Sequence, residues 1–102
     1  MNIDTILKQN PAVAIYFSAP NCSVCHALKP KLFARFEDEL DRLKIVEVDT
    51  SLDQEIAAKF SVFAIPTLLV FLDAKEYVRK SRHMSVDEVV GSIKRPYDMM
   101  FS

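Results

Sequence analysis

The only two thiols of the chain lie three positions apart, in the segment Cys22-Ser-Val-Cys25, and a histidine, His26, follows directly. Cysteine reacts and binds metals as the thiolate, so two thiols this close can act as a pair. The pair could open and close a disulfide, hold a metal ion or, as a C-x-x-C-H string, attach haem. A fourth interpretation is that both are inert core cysteines. The rest of the sequence has to discriminate between these interpretations.

The composition predicts one ordinary globular domain spanning residues 1–102, since 50% of the residues are hydrophobic and 26% are charged. The formal net charge is −1 and the two signs are interspersed, which argues against a nucleic-acid or polybasic membrane partner. No apolar run approaches the roughly 20 residues that a membrane-spanning helix needs. The first residues, MNIDTILKQNPAV, lack the features of a signal peptide, so we expect a cytoplasmic protein without a membrane partner.

A cytoplasmic location makes a close cysteine pair more typical of redox or metal chemistry than of a structural staple. Haem attachment belongs to exported proteins, and this chain shows neither a signal peptide nor a mostly helical pattern. Zinc needs about four ligands, and the non-carboxylate candidates are only Cys22, Cys25, His26 and His83, in a spacing that matches no common zinc module. We therefore predict no metal site within one chain, although a metal that bridges two copies would remain compatible with these residues.

The elements that must position the thiols follow from hydrophobic periodicity. Apolar runs and alternating runs predict strands over 12–17, 44–49, 67–72 and 76–82, the last at a sheet edge. Helical spacing predicts helices over 3–9, 23–42, 52–60, and one from Ser85 that Pro96 stops. Ser51 with Gln54, and Ser85 with Glu88, have the spacing of capping boxes. This order predicts an α/β fold in which helices cover both faces of a mixed sheet.

The predicted elements place Cys22 at the end of the turn after the first strand, where the long helix begins. Free backbone N–H groups and the helix dipole favour an anion there, so a thiolate at this position is stabilised. Cys25 would lie one turn into the helix, close enough to attack a mixed disulfide formed at Cys22. A turn of this kind is a poor place for an inert core cysteine, and the location favours redox chemistry.

Two segments resemble the thioredoxin family: YFSAPNCSVCHALKP, with Pro30 five residues after the second cysteine, and FSVFAIPTLLVFL. The resemblance implies a thioredoxin fold with four strands, since the family's usual first strand is missing. It also implies that Cys22 is the nucleophile, that Cys25 is the resolving thiol, and that the Ile65–Pro66 bond is cis. By the same resemblance, Pro66 and Ile65 shape the substrate groove.

The resemblance further implies how the protein would work. Its redox-active centre would be the Cys22–Cys25 disulfide, with no organic cofactor. Its partners would be protein disulfides and a reductase or small thiol that recycles it, and we expect a monomer. A different function on the same fold would be a binding module or redox sensor with little turnover, because a fold does not fix a function.

Three departures from the family bear on this choice. Asn21 stands where the family has tryptophan before the first cysteine, and Ser-Val replaces Gly-Pro between the cysteines. Tyr16 stands where the family carries a buried aspartate, and a phenol is a poor base near neutrality. Arg82 replaces the glycine of the groove. We hypothesise that Arg82, with His83 and His26, favours the Cys22 thiolate and acidic partners.

The remaining aromatic residues are interpreted as core. This applies to four phenylalanines, Phe17, Phe60, Phe63 and Phe71. The apolar C-terminal residues Met99, Met100 and Phe101 are expected either to pack back on the domain or to offer a surface to a partner.

Overall fold

The computed structural model describes residues 1–102 and contains four helices and four strands. In chain order these are α1 (Ile3–Gln9), β1 (Ala12–Ser18), α2 (Ser23–Glu39), β2 (Lys44–Asp49), α3 (Gln54–Lys59), β3 (Thr67–Leu72), β4 (Lys75–Ser81) and α4 (Val86–Met100). No helix is both long and apolar enough to cross a membrane.

The strands form one mixed sheet in the order β2-β1-β3-β4. Strand β1 pairs parallel with β2 and antiparallel with β3, and β3 pairs antiparallel with β4. Every residue of β1 and β3 is buried, as expected of strands that are covered on both faces. The predicted α/β fold with a four-stranded sheet and a polar edge strand is confirmed.

Side chains of β1 alternate between two cores, because successive residues of a strand point to opposite faces. Ala12, Ala14 and Tyr16 face the core under α2 and α4. Residues of the other parity face a second core that includes parts of α1 and α3: Val13, Ile15 and Phe17. Each face of the sheet is therefore covered, and the carboxyl end of β1 runs directly into the turn before Cys22.

Two predicted helix boundaries are wrong. Helix α2 ends at Glu39 rather than 42, since Leu40 leaves the helical conformation (φ −135°, ψ 57°). Helix α3 begins at Gln54, and Ser51 does not cap it, because the Ser51 hydroxyl donates instead to Asp49 Oδ1 at 2.5 Å. The second capping residue is confirmed, as Ser85 Oγ accepts from the Glu88 N–H at 3.2 Å.

Pro96 does not stop the last helix, which was a further wrong prediction. A proline inside a helix removes one hydrogen bond, and burial of the following turn can offset that loss. Tyr97 is buried, and its hydroxyl accepts from the Arg42 N–H at 2.8 Å, which fixes the turn after the proline. Met100 and Phe101 pack on the core, while Met99 is exposed.

The prediction that Phe63 belongs to the core is also wrong, since its side chain is 89% exposed. Val62 is the buried residue of this segment, because Ser61 turns the chain with a left-handed backbone (φ 55°). Phe17 and Phe71 are buried, and the half-buried Phe60 packs on the same core.

Four residues with side chains adopt the left-handed backbone region that glycine usually occupies: Ser61, Asp73, Ala74 and Arg82. Asp73 and Ala74 are consecutive and form the two-residue turn of the β3–β4 hairpin. The only glycine, Gly91, lies inside α4 and serves none of these turns.

Candidate active site

The two cysteines are joined by a disulfide at the start of α2, with their Cα atoms 5.3 Å apart. Cys22 is the N-cap residue of the helix, and its Sγ accepts from the Cys25 N–H at 3.2 Å. Cys22 is partly exposed, whereas Cys25 is 1% exposed. The sulfur that caps the helix is therefore the one that a partner can reach.

The turn before Cys22 is held by one hydrogen bond within it and one from the first helical turn. The Cys22 N–H donates to Ala19 O at 3.1 Å, and His26 Nε2 lies 2.9 Å from Pro20 O. Because a carbonyl oxygen only accepts, Nε2 carries the proton in this contact. His26 thus fixes the turn. Asn21, in the same turn, is exposed, and its side chain forms no hydrogen bond within the chain.

Tyr16 lies beneath the disulfide on β1, fully buried, and its hydroxyl donates to Cys25 O at 2.8 Å. Burial, with a smaller contribution from the charge of Glu47, raises the pKa of Tyr16 to about 12. The phenol therefore stays protonated near neutrality and cannot accept a proton from the Cys25 thiol. It holds the backbone of Cys25 instead.

Sequence reasoning missed the ion pair between Lys29 and Glu47, whose side chains approach to 2.9 Å. Glu47 also lines an open groove of about 380 Å³ together with His26 and Asp49. The alternation of β2 could have indicated that Glu47 is available for such a pair. Glu47 lies on the strand that flanks β1, and its side chain points away from the buried positions of that strand. No three cysteine, histidine or acidic side chains are grouped so that they could hold a metal ion.

The second wall of the site begins at the Ile65–Pro66 peptide bond, which is cis. Pro66 is buried, and its carbonyl oxygen accepts from the Arg82 N–H at 2.7 Å. The Thr67 hydroxyl donates to Ala64 O at 2.7 Å and fixes the other flank. Two segments distant in sequence, the loop before β3 and the residue after β4, are thereby joined beside Pro66.

Arg82 is exposed, and its backbone is left-handed with φ 62°. It lines an open groove of about 400 Å³ together with His83 and with Val24, which lies between the two cysteines. The structure thus brings Arg82 and His83 to one groove beside the disulfide. His26 lines a different groove, together with Pro20, whose carbonyl oxygen it contacts.

Comparison with known proteins supports the same family along nearly the whole chain. The family model described as Thioredoxin matches residues 2–95. Thioredoxin-like protein YdfQ of Bacillus subtilis (strain 168) is 34% identical over 97 residues, which cover 95% of this chain and 86% of that protein. Thioredoxin of Griffithsia pacifica is 27% identical over 92 residues, which cover 90% of this chain and 76% of that protein.

Solved thioredoxin structures superpose on this chain and support the same family. Thioredoxin 1 from the thermophilic eubacterium Thermosipho africanus TCF52B superposes with a TM-score of 0.79 at 28% identity, covering 88% of this chain and 99% of the other. Fasciola hepatica thioredoxin superposes with a TM-score of 0.81 at 27% identity, covering 91% and 89% of the two chains. With a four-stranded thioredoxin fold and two cysteines at disulfide distance in a C-x-x-C segment, this redox protein belongs to the thioredoxin family.

Proposed function

We propose that this protein is a thiol–disulfide oxidoreductase of protein substrates, with Cys22 as the nucleophile and Cys25 as the resolving thiol. The observation that carries the proposal is the capping position of Cys22, whose Sγ accepts from the Cys25 N–H at the N-terminus of a helix of 17 residues. In the reduced protein the same N–H and the helix dipole stabilise a Cys22 thiolate. Cys25 is buried and is protected from direct attack by a partner.

The reaction then proceeds in two exchanges. The Cys22 thiolate attacks one sulfur of the substrate disulfide, which forms a mixed disulfide and expels the other sulfur as a thiolate. Cys25 loses its proton and attacks Cys22 Sγ, which closes the Cys22–Cys25 disulfide and releases the second substrate thiol. The substrate gains two electrons and the protein loses two. Because Tyr16 cannot take the proton of Cys25, that proton passes to the departing substrate thiolate or to water.

The loop before Pro66 supports docking of an extended substrate segment. The backbone N–H and carbonyl of Ile65 take part in none of the hydrogen bonds of the chain, although they adjoin the first residue pair of β3 and β4. A substrate strand can use these free groups, as in other cases of strand addition. Ile65, Pro66 and Arg82 would form one wall of the groove, and Asn21 the rim of the other.

The remaining parts of the proposal follow from the chemistry. Thioredoxins generally act on protein disulfides and are returned to the dithiol by a reductase, so a reductase or a small thiol would recycle this protein. It would work as a cytoplasmic monomer, and its redox-active disulfide would serve without an organic cofactor. The N-terminus of α2, with His26 beside it, would stabilise the Cys22 thiolate.

Covalent trapping of substrate proteins on Cys22 tests the proposal. In Cys25→Ser the mixed disulfide on Cys22 cannot be resolved, so the variant should retain substrate proteins through a bond that dithiothreitol releases. Cys22→Ser is the matched control and should retain none. Retention by both variants, or retention that dithiothreitol does not release, would contradict the proposed roles.

The alternative, a redox sensor or binding module, is favoured by one observation, the absence of a titrating base at Tyr16. Equilibration across dithiothreitol and glutathione buffers, followed by alkylation and mass measurement, should give a reversible two-electron transition in either case. Insulin reduction with excess dithiothreitol separates the two functions. The oxidoreductase requires turnover that exceeds the dithiothreitol background and vanishes in Cys22→Ser, whereas a sensor would show the transition without turnover.

A further inference from the structure

Arg82 is held at the edge of the site by its own backbone. Its N–H donates to Pro66 O at 2.7 Å, and its φ of 62° lies in the region that residues with side chains rarely adopt. Strained backbone of this kind persists where the surrounding structure fixes it, and it is concentrated at binding and catalytic sites. The backbone from which the Arg82 side chain extends is thereby fixed beside Pro66, one residue beyond β4.

The charge of Arg82 is free. Its side chain forms no ion pair and no hydrogen bond, in contrast to Arg79 on β4, which binds Glu76 and the carbonyl of Phe60. Glu88 is exposed in the same groove and forms no ion pair either. Arg82 and Glu88 therefore line one groove without pairing with each other, and the Arg82 cation, whose backbone binds Pro66 O, is left without a partner.

The groove combines this charge with an apolar floor. Val24 is 55% exposed and lies between the cysteines, and Met84 and Leu28 contribute two half-buried apolar side chains to the same groove. A guanidinium next to apolar surface suits a peptide that presents a carboxylate close to a cysteine. Arginine binds a carboxylate through two parallel N–H donors, which adds geometric selectivity to the attraction.

We propose that Arg82 is a specificity-determining residue, which selects extended peptide segments that carry an acidic side chain next to the disulfide-bonded cysteine. The inference rests on the proposed oxidoreductase function for its covalent step, but the docking of an acidic peptide does not require that step. Glu88, which lines the same groove, opposes the selection. The alternative role for Arg82, stabilisation of the Cys22 thiolate, would accelerate the reaction with every substrate alike.

The test uses three peptides that differ only in the residues flanking one cysteine, which are glutamate, glutamine or lysine, each activated as a 2-thiopyridyl disulfide. The release of thiopyridone by the reduced protein is followed by stopped flow at low ionic strength. We expect the glutamate peptide to react about fivefold faster than the glutamine peptide, the range of an exposed ion pair, and the difference to shrink as salt is added.

The variants make the expectation specific. Arg82→Gln should abolish the preference, Arg82→Glu should transfer it to the lysine peptide, and Arg82→Lys should retain part of it. Glu88→Gln should increase it. Lys75→Glu is the matched control for Arg82→Glu, because it reverses a positive charge in the same way at the opposite end of β4. It should leave the preference unchanged.

Three results would overturn the inference. Equal slowing of all three peptides by Arg82→Gln would assign Arg82 to the thiolate. An equal effect of Lys75→Glu would assign the preference to the overall charge. A wild-type protein without a preference would remove the selection altogether. Circular dichroism shows whether each variant is folded. Arg82→Gly, in which glycine adopts the left-handed backbone without strain, replaces an Arg82 variant that is not.

A second readout separates this inference from the proposed function. The same peptides, with serine in place of cysteine, are titrated into the oxidised protein and followed by amide NMR shifts. Selective binding of the glutamate peptide, with shifts around Arg82 that Arg82→Gln removes, would support the docking site even if the thiopyridyl reaction failed. Equal binding of the three peptides, or no binding, would overturn it.

Discussion

The two sides of the disulfide are built in opposite ways. On the helix side three polar groups next to the disulfide are engaged: Tyr16 donates to Cys25 O, His26 to Pro20 O, and the Cys25 N–H to Cys22 Sγ. On the loop side the backbone of Ile65 is unpaired and the charge of Arg82 is free. The helix side therefore holds the two cysteine sulfurs in place. The loop side instead presents unpaired backbone groups and a free charge, to which a partner can bind.

This difference implies that stability and recognition are separated in the molecule. Substitutions on the helix side should lower the free energy of unfolding, because they remove buried contacts. Substitutions on the loop side should alter partner choice while leaving stability unchanged or raising it. The following predictions test that separation, beginning with the largest effect.

Phe36→Ala should lower the free energy of unfolding by about 4 kcal/mol, since it removes a large buried side chain and leaves a cavity. Phe36 is fully buried on α2, the helix that Cys22 caps and that contains Cys25. Urea unfolding measures the effect, and Glu37→Ala, an exposed neighbour on the same helix, is the control. A loss below about 1 kcal/mol would mean that the core does not hold this helix.

Tyr16→Phe should lower the free energy of unfolding near neutrality by about 1.5 kcal/mol, because Cys25 O loses a buried donor. The pKa of Tyr16 is about 12 in the folded protein and 10 ordinarily. A raised pKa gives stability that is present below pH 10 and is lost as the pH rises from 10 to 12, here about 2 kcal/mol. Wild type and variant should therefore converge in alkaline urea titrations, and parallel curves would contradict the assignment.

Arg82→Gly should raise the free energy of unfolding by about 1 kcal/mol, because glycine relieves the left-handed backbone. The same variant should lose its preference for acidic peptides. Lys80→Gly provides the comparison two residues earlier, since glycine inside a strand destabilises by about the same amount. A destabilising Arg82→Gly would show that the side chain contributes to the fold rather than to a partner.

Phe63→Ala should change the free energy of unfolding by less than about 0.5 kcal/mol, as is usual for exposed side chains. It is the counterpart of Phe36→Ala, since the same substitution is made on the two sides of the site. Urea unfolding of both variants in parallel gives the comparison. A loss of more than about 1 kcal/mol would place Phe63 in a contact that its exposure does not show.

The sequence was sufficient to locate most of the fold. Strands β2 and β3 have the predicted bounds, because alternating or wholly apolar runs between turn residues leave few other arrangements. The position of Cys22 at the start of α2 followed from the same reasoning. These features depend on periodicity and on local turn chemistry, which a single sequence contains.

The errors arose where tertiary contacts decide. Pro96 remains helical because Tyr97, anchored to Arg42, holds the next turn, and no local signal shows that contact. The prediction that Phe63 belongs to the core rests on its residue type alone, whereas the left-handed Ser61 shifts the following residues so that Val62 is buried instead. The engagement of Tyr16 with Cys25 O was likewise missed, because it joins a strand to a helix.

The hairpin turn at Asp73 and Ala74 has a consequence for the order of folding events. Two consecutive left-handed residues form the mirror-image turn that Asn-Gly sequences favour, and an alanine at its second position visits that conformation rarely in an unfolded chain. We expect that β3 and β4 join late, after β3 has paired with β1 through contacts such as the Asp73 N–H to Pro11 O bond. In refolding kinetics, small truncations in β4 should then change the unfolding rate and leave the folding rate almost constant.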